Sequence, residues 1–162
     1  MSGVGDFSFA FSTDRNQAGG SYAKDGNPKA ATFVGTAISK WITTSATTLY
    51  YTFAGATEMD ADLSKWSVGK VTSLQHTFSV ARKYTGVGLD SWDVSKVNDM
   101  GNVFQFNDAF TSCIKRKIAV AWKSSVVFVA TEYDTDWAGD TCVRERDGVR
   151  TVGCDGVRWG AM

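Results

Sequence analysis

The sequence predicts an α/β repeat fold: a leucine-rich-repeat-like solenoid of short strands and short helices, with a cap at each end. Three observations predict it. Residues 38–62, 63–88 and 89–113 align as three segments of 25 or 26 residues with apolar side chains in shared register. Each segment runs from an alternating apolar/polar stretch into apolar spacings of three and four. Both flanks offer apolar residues suited to cover the ends of such an array.

The register shows as columns. Ile38, Leu63 and Leu89 form the first, Trp41, Trp66 and Trp92 the second, and Ala46, Val71 and Val97 the third. Leu49, Leu74 and Met100 follow, then Phe53, Phe78 and Phe104, always twelve residues after the tryptophan, then Met59, Tyr84 and Phe110, six residues later. One repeat alone cannot bury such a face, whereas stacked repeats bury a continuous core. The three tryptophans are therefore expected to be buried and stacked on one another. Trp66-Ser-Val68 and Trp92-Asp-Val94 alternate as short strands do, and Val71-x-x-Leu74-x-x-x-Phe78 suits two helical turns capped by Thr72 or, in the next copy, Asn98.

The domain reading follows. Residues 1–32 form an N-terminal cap in which Phe7-x-Phe9-x-Phe11 alternates as an edge strand, and residues 33–113 the solenoid, with Phe33 in the slot of the Met59, Tyr84 and Phe110 column. Residues 114–142 form a C-terminal helical cap and closing loop. In it Thr111 or Ser112 caps a helix with Ile114, Ile118, Ala121 and Trp122 on one stripe, Val126–Ala130 reads as a strand, and EYDTDWAGD reads as a polar turn. Residues 143–162 form a tail with DGVR twice, the signal of a hairpin.

At 162 residues the chain fits one domain, and its 43% apolar content supports a packed core. Seventeen basic and seventeen acidic side chains cancel, so no nucleic-acid partner is expected. No run of about 18 apolar residues offers a membrane span, and the opening MSGVGDFSFAFSTD lacks the pattern of a signal peptide, so neither membrane insertion nor an export signal is read from this chain.

Cys113, Cys142 and Cys154 have no metal-binding spacing. A Cys113–Cys142 disulfide would staple the C-terminal cap, and Cys142–Cys154 competes with it. No cofactor or metal site is expected. His76, the single histidine, is read as an exposed helical residue without a nucleophile signature beside it. Glu58, Asp60 and Asp62, and Asp134, Asp136 and Asp140, miss the known calcium spacings and are read as turn formers. Gly86-x-Gly88 lacks the rest of a phosphate loop and is read as a turn between coils. Trp137 and Trp159 lie in polar or tail segments and are candidates for exposed ligand contact.

The string LDSWDVSKVNDMGNVFQFNDAF, through Leu89, Trp92-Asp93-Val94-Ser95-Lys96-Val97, Met100 and Phe104, resembles the tryptophan-containing repeats of the BspA-like leucine-rich-type surface proteins. LSKWSVGKVTSLQHTF is similar with Ser67 and Leu74 as departures, and ISKWITTSATTLYYTF departs further at Ile42 and Ala46. The similarity extends over residues 33–142. It implies a secreted or cell-surface protein whose repeats bind a protein or glycan or assemble with one another, and it carries no catalytic motif. The expected function is thus a non-enzymatic interaction module. Its face is expected on exposed positions that vary between copies: Ser67, Lys70, Gln75, His76, Asp93 and Lys96. The alternative is a carbohydrate-active hydrolase using Asp134 or Asp136, which needs paired carboxylates roughly 5 to 9.5 Å apart in a cleft.

Overall fold

The computed structural model describes residues 3–13, 27–140, 143–146 and 149–152. Its first lesson is a correction. Residues 33–111 hold no strand and no α-helix; their regular elements are the 3-10 turns Thr36–Lys40 and Leu89–Ser91. The α/β solenoid of strands and helices is therefore not the observed architecture.

What the sequence builds instead is visible in its backbone hydrogen bonds. From Leu49 to Ala56 the N–H groups alternate in direction. Those of Leu49, Tyr51, Phe53 and Gly55 donate to the carbonyls of Ser73, Gln75, Thr77 and Ser79 at 2.8–3.0 Å, while those of Thr52, Ala54 and Ala56 fold back onto Leu49, Tyr51 and Phe53. Leu74, His76, Phe78 and Val80 repeat the pattern onto Asp99, Gly101, Val103 and Gln105. Phe7, Phe9, Phe11 and Thr13 donate likewise to Thr48, Tyr50, Thr52 and Ala54. Each coil is thus a string of overlapping turns hydrogen-bonded to the next coil.

The cause is a left-handed residue at every fourth position. Tyr51 and Gly55, His76 and Val80, and Asn102 and Phe106 all have φ between +52° and +73°. Such residues reverse the chain locally, so an extended strand cannot propagate, and the coils share only the single parallel bridges Asp6–Thr48, Thr48–Ser73 and Ser73–Asp99. A helix is excluded as well, because half of the N–H groups point to the neighbouring coil rather than to a carbonyl four residues back. The apolar spacings of three and four arise here from turns that send Leu74, Thr77, Phe78 and Ala81 inward.

Buried threonines tie the ribbon from inside. Thr52 Oγ1 donates to Phe7 O at 2.9 Å, and Thr77 Oγ1 donates to Leu49 O at 2.8 Å across the coil boundary. Phe11, Phe53, Phe78 and Phe104 stack in sequence, with centroids 5.5, 5.6 and 5.9 Å apart and planes within 14°. Phe33, Tyr84 and Phe110 each contact a ring of that stack, at 4.3, 4.6 and 5.1 Å.

The column tryptophans pack chiefly on phenylalanine rings, although Trp92 also stacks on Trp122 at 6.4 Å. Each packs on the phenylalanine of the preceding row: Trp41 on Phe11, Trp66 on Phe53, Trp92 on Phe78, and Trp122 on Phe104, at 5.6–5.9 Å. Trp66 Nε1 donates to Ile38 O, Trp92 Nε1 to Leu63 O, and Trp122 Nε1 to Leu89 O. Trp66 and Trp92 are buried, but Trp41 is 41% exposed, which corrects the expectation that all three are core. It belongs to the first coil, where among the described residues it meets the rings of Phe7 and Phe11.

The short helix α1 (Pro28–Ala31) precedes the coils, and the C-terminal end is closed by helices. Thr111 caps α2 (Ser112–Trp122) by accepting from Ile114 N, and Trp122 takes the place of a fourth column tryptophan. Ile118, Ala119 and Trp122 are its buried residues, whereas Ala121, expected on the apolar stripe, faces out. The segment read as a strand is the helical turn α3 (Val126–Val129), because Ser125 caps it by accepting from Phe128 N. The segment read as a polar turn is α4 (Glu132–Ala138), packed on α2 and burying Trp137 against Phe104 and Phe110. Trp137 is therefore a core residue and not an exposed ligand contact. Beyond α4, β1 (Val143–Arg146) and β2 (Val149–Val152) pair antiparallel with Val143 opposite Val152. Cys142, Cys154 and Trp159 lie outside the described residues.

Candidate binding face

The outward side of the ribbon is as regular as its inner side. In the bridge column a side-chain oxygen accepts from the N–H two residues on: Asp6 from Ser8, Thr48 from Tyr50, Ser73 from Gln75 and Asp99 from Gly101. Each local turn fixes the entry into the left-handed residue that follows, namely Phe9, Tyr51, His76 or Asn102. These four form a continuous row. Phe9 stacks on Tyr51 at 5.0 Å, Tyr51 lies on His76 at 4.4 Å, and His76 Nε2 is 3.3 Å from Asn102 Nδ2. Tyr50 joins the row from the side, 4.6 Å from Tyr51.

The six residues expected to form one face fall into two groups. Gln75 and His76 are half-buried members of the ribbon row, and His76 is a left-handed turn residue rather than a helical one. Ser67, Lys70, Asp93 and Lys96 are exposed in the loops between the tryptophan and valine columns, where Asp93 extends over Gly69 of the coil before. Asp93 accepts from Ser95 N at 3.1 Å, and that serine, with Lys96 contributing, holds its carboxyl below the usual range. Val71 and Leu74, both buried, separate the two groups along the chain. Tyr50, Tyr51 and Asn102 were not among the positions expected from the sequence; residue type does not mark Tyr51 as left-handed, whereas Asn102 offered a clue to that position.

The acidic candidates between the coils have structural partners. Asp62 accepts from Ser64 N, and Asp60 accepts from both the N–H and the hydroxyl of Thr85 one coil on. Glu58 pairs with Lys83 at 2.6 Å. Asp134 and Asp136 sit on α4, half-buried and exposed respectively. Among the described residues no three His, Cys, Asp or Glu side chains cluster as a metal site, and no helix is long and apolar enough to cross a membrane. Gly86 and Gly88 have φ of +82° and +95°, as turns between coils require.

Turn-built coils in register, with a repeating inner core and a row of changing side chains beside it, define a class of stacked-coil protein. Residues 28–129 match the family described as Mycoplasma protein of unknown function, DUF285, and the chain belongs to that family. No curated protein and no solved structure matches it.

Proposed function

We propose that this chain is a non-enzymatic interaction module that holds a protein or glycan at a cell surface, or joins others of its kind in an assembly there. The observation that carries the reading is the division of labour within each coil. Leu, Thr and Phe of the ribbon are committed to packing, while the adjoining outward positions change from Tyr50-Tyr51 to Gln75-His76 to Gly101-Asn102 without altering the backbone. A scaffold that holds geometry constant while side chains vary is suited to recognition. The surface location follows from the similarity to BspA-like repeats. An array of surface proteins and glycans, followed by protease shaving of intact cells that express the full gene, tests both parts. Turnover of an arrayed glycoside or ester, abolished by Asp134→Asn or Asp136→Asn, would replace the module with a hydrolase.

A further inference from the structure

We propose that the row Tyr50, Tyr51, Gln75, His76 and Asn102 is the contact surface for a neutral glycan chain lying along the axis of the stack. The inference rests on the interaction-module reading and names the partner class.

The backbone does not ask for these side chains. A left-handed residue is accommodated most cheaply by glycine, then asparagine, and the third coil has Asn102 at this position. The first two coils instead carry Tyr51 and His76, at φ +54° and +53°, where a bulky side chain adds strain.

The chemistry of the row selects the partner. Phe9, Tyr51 and His76 cover one another's faces, so the stack turns its ring edges outward. A phenol, an imidazole and the amides of Gln75 and Asn102 can each take part in hydrogen bonds with hydroxyl groups. A sugar offers such hydroxyls, so the two surfaces match without any charge pairing. The row itself has no lysine or arginine, and the bridge column beside it ends in the carboxylates of Asp6 and Asp99 with Thr48 and Ser73 between. A sulfated or phosphorylated polymer is therefore disfavoured. One step per coil, at the roughly 4.8 Å of hydrogen-bonded neighbouring chains, gives a track about 10 Å long from Tyr51 to Asn102, which suits two or three sugars of an extended chain.

The test is titration of the full chain with cellohexaose, mannohexaose, chitohexaose and heparin, read by calorimetry and by NMR shifts of the His76 ring. At least one neutral hexasaccharide should bind and shift His76, and heparin should not. Tyr51→Asn with His76→Asn, which keeps residues tolerant of the left-handed backbone, should weaken that binding at least about tenfold with the melting temperature little changed. Tyr50→Ala with Gln75→Ala, at positions with ordinary φ, carries the same test independently of backbone strain. Preference for heparin, binding indifferent to both pairs, or binding lost instead with Lys70→Ala and Lys96→Ala would overturn the assignment. So would failure of all three neutral sugars. If a surface protein binds in that case, the glycan inference alone falls, whereas cleavage of a sugar would bring down the module reading itself.

Discussion

Replacing Trp66 by alanine tests the packing logic most directly, provided Trp41→Ala is measured beside it. Trp66 is 3% exposed, lies on Phe53 at 5.7 Å and Phe7 at 5.8 Å, and donates Nε1 to Ile38 O at 2.9 Å. A tryptophan buries about 150–250 Å², which at about 25 cal/mol per Å² sets a ceiling of roughly 4 to 6 kcal/mol on its transfer contribution. The carbonyl of Ile38 is not orphaned by the change, because it also accepts from Trp41 N, so the lost hydrogen bond adds only about 0.5 to 1.5 kcal/mol. With what alanine still buries and partial collapse of the cavity, Trp66→Ala should cost about 3 to 5 kcal/mol. Trp41 occupies the same column but is 41% exposed, and Trp41→Ala should cost about 1 to 2 kcal/mol. For a chain of this size the two differ by roughly 5 to 10 °C in Tm, readable by calorimetry, and urea midpoints should keep the same order. Equal losses would refute the difference in burial between Trp66 and Trp41 and the column energetics with it.

Three further outcomes are expected. Gly88 has φ +95°, and an added Cβ would lie 2.1 Å from Ser64 N, so Gly88→Ala should destabilise by more than about 3 kcal/mol in a urea titration, whereas Gly139→Ala, with open space around it, should be near neutral. Burial, with Asp60, Asp62 and Asp90 contributing, pushes the Tyr84 phenol well above its ordinary value. The folded chain therefore holds this proton more tightly than the unfolded chain, and stability should fall as pH rises past about 10, by up to about 1.4 kcal/mol per pH unit; Tyr84→Phe should flatten that slope in pH-dependent melting. For the cysteines, a Cys113–Cys142 bridge would close a loop of 28 intervening residues and should contribute about 2 to 4 kcal/mol under oxidising conditions, with Cys142–Cys154 as the competing pair. Non-reducing peptide mapping that returns Cys142–Cys154 would refute it.

Much of the inner side of the molecule was legible in the sequence, and little of its backbone. Phe53, Phe78 and Phe104 could be aligned from spacing alone because one ring per coil must meet the next, and the structure stacks them. The turn ribbon was not legible for a physical reason. Apolar intervals of three and four arise whenever a chain returns the same face after three or four residues, and overlapping turns do this as a helix does. What separates the two is the sign of φ at Tyr51, His76, Val80 and Phe106, and these residue types give no hint of it; Gly55 and Asn102, in equivalent positions, were the available clue. Thr52 and Thr77 are polar, yet each is fully buried, because its hydroxyl reaches a carbonyl of the coil before. Of the proposed face, Gln75 and His76 are expected from the sequence as variable positions, while their neighbours across the coil boundary depend on a register that the hydrogen-bond ladder fixes.

The same ladder explains how an array this short holds together. An inner coil gains a neighbour on each side, so the two ends decide stability, and both ends here are finished with residues that imitate the missing coil. On one side Phe11 supplies the ring that Phe53 stacks on, and Phe7, Phe9 and Phe11 supply N–H groups to the carbonyls of Thr48, Tyr50 and Thr52. On the other, Trp122 repeats the indole bond of Trp66 and Trp92 from a helix, with a backbone unrelated to theirs. What is imitated is the contact and not the conformation. The core therefore constrains side-chain positions from the inside only, which leaves the outward residues of each turn free to differ at little cost to the stack, and it is on those residues that function is expected to have been written.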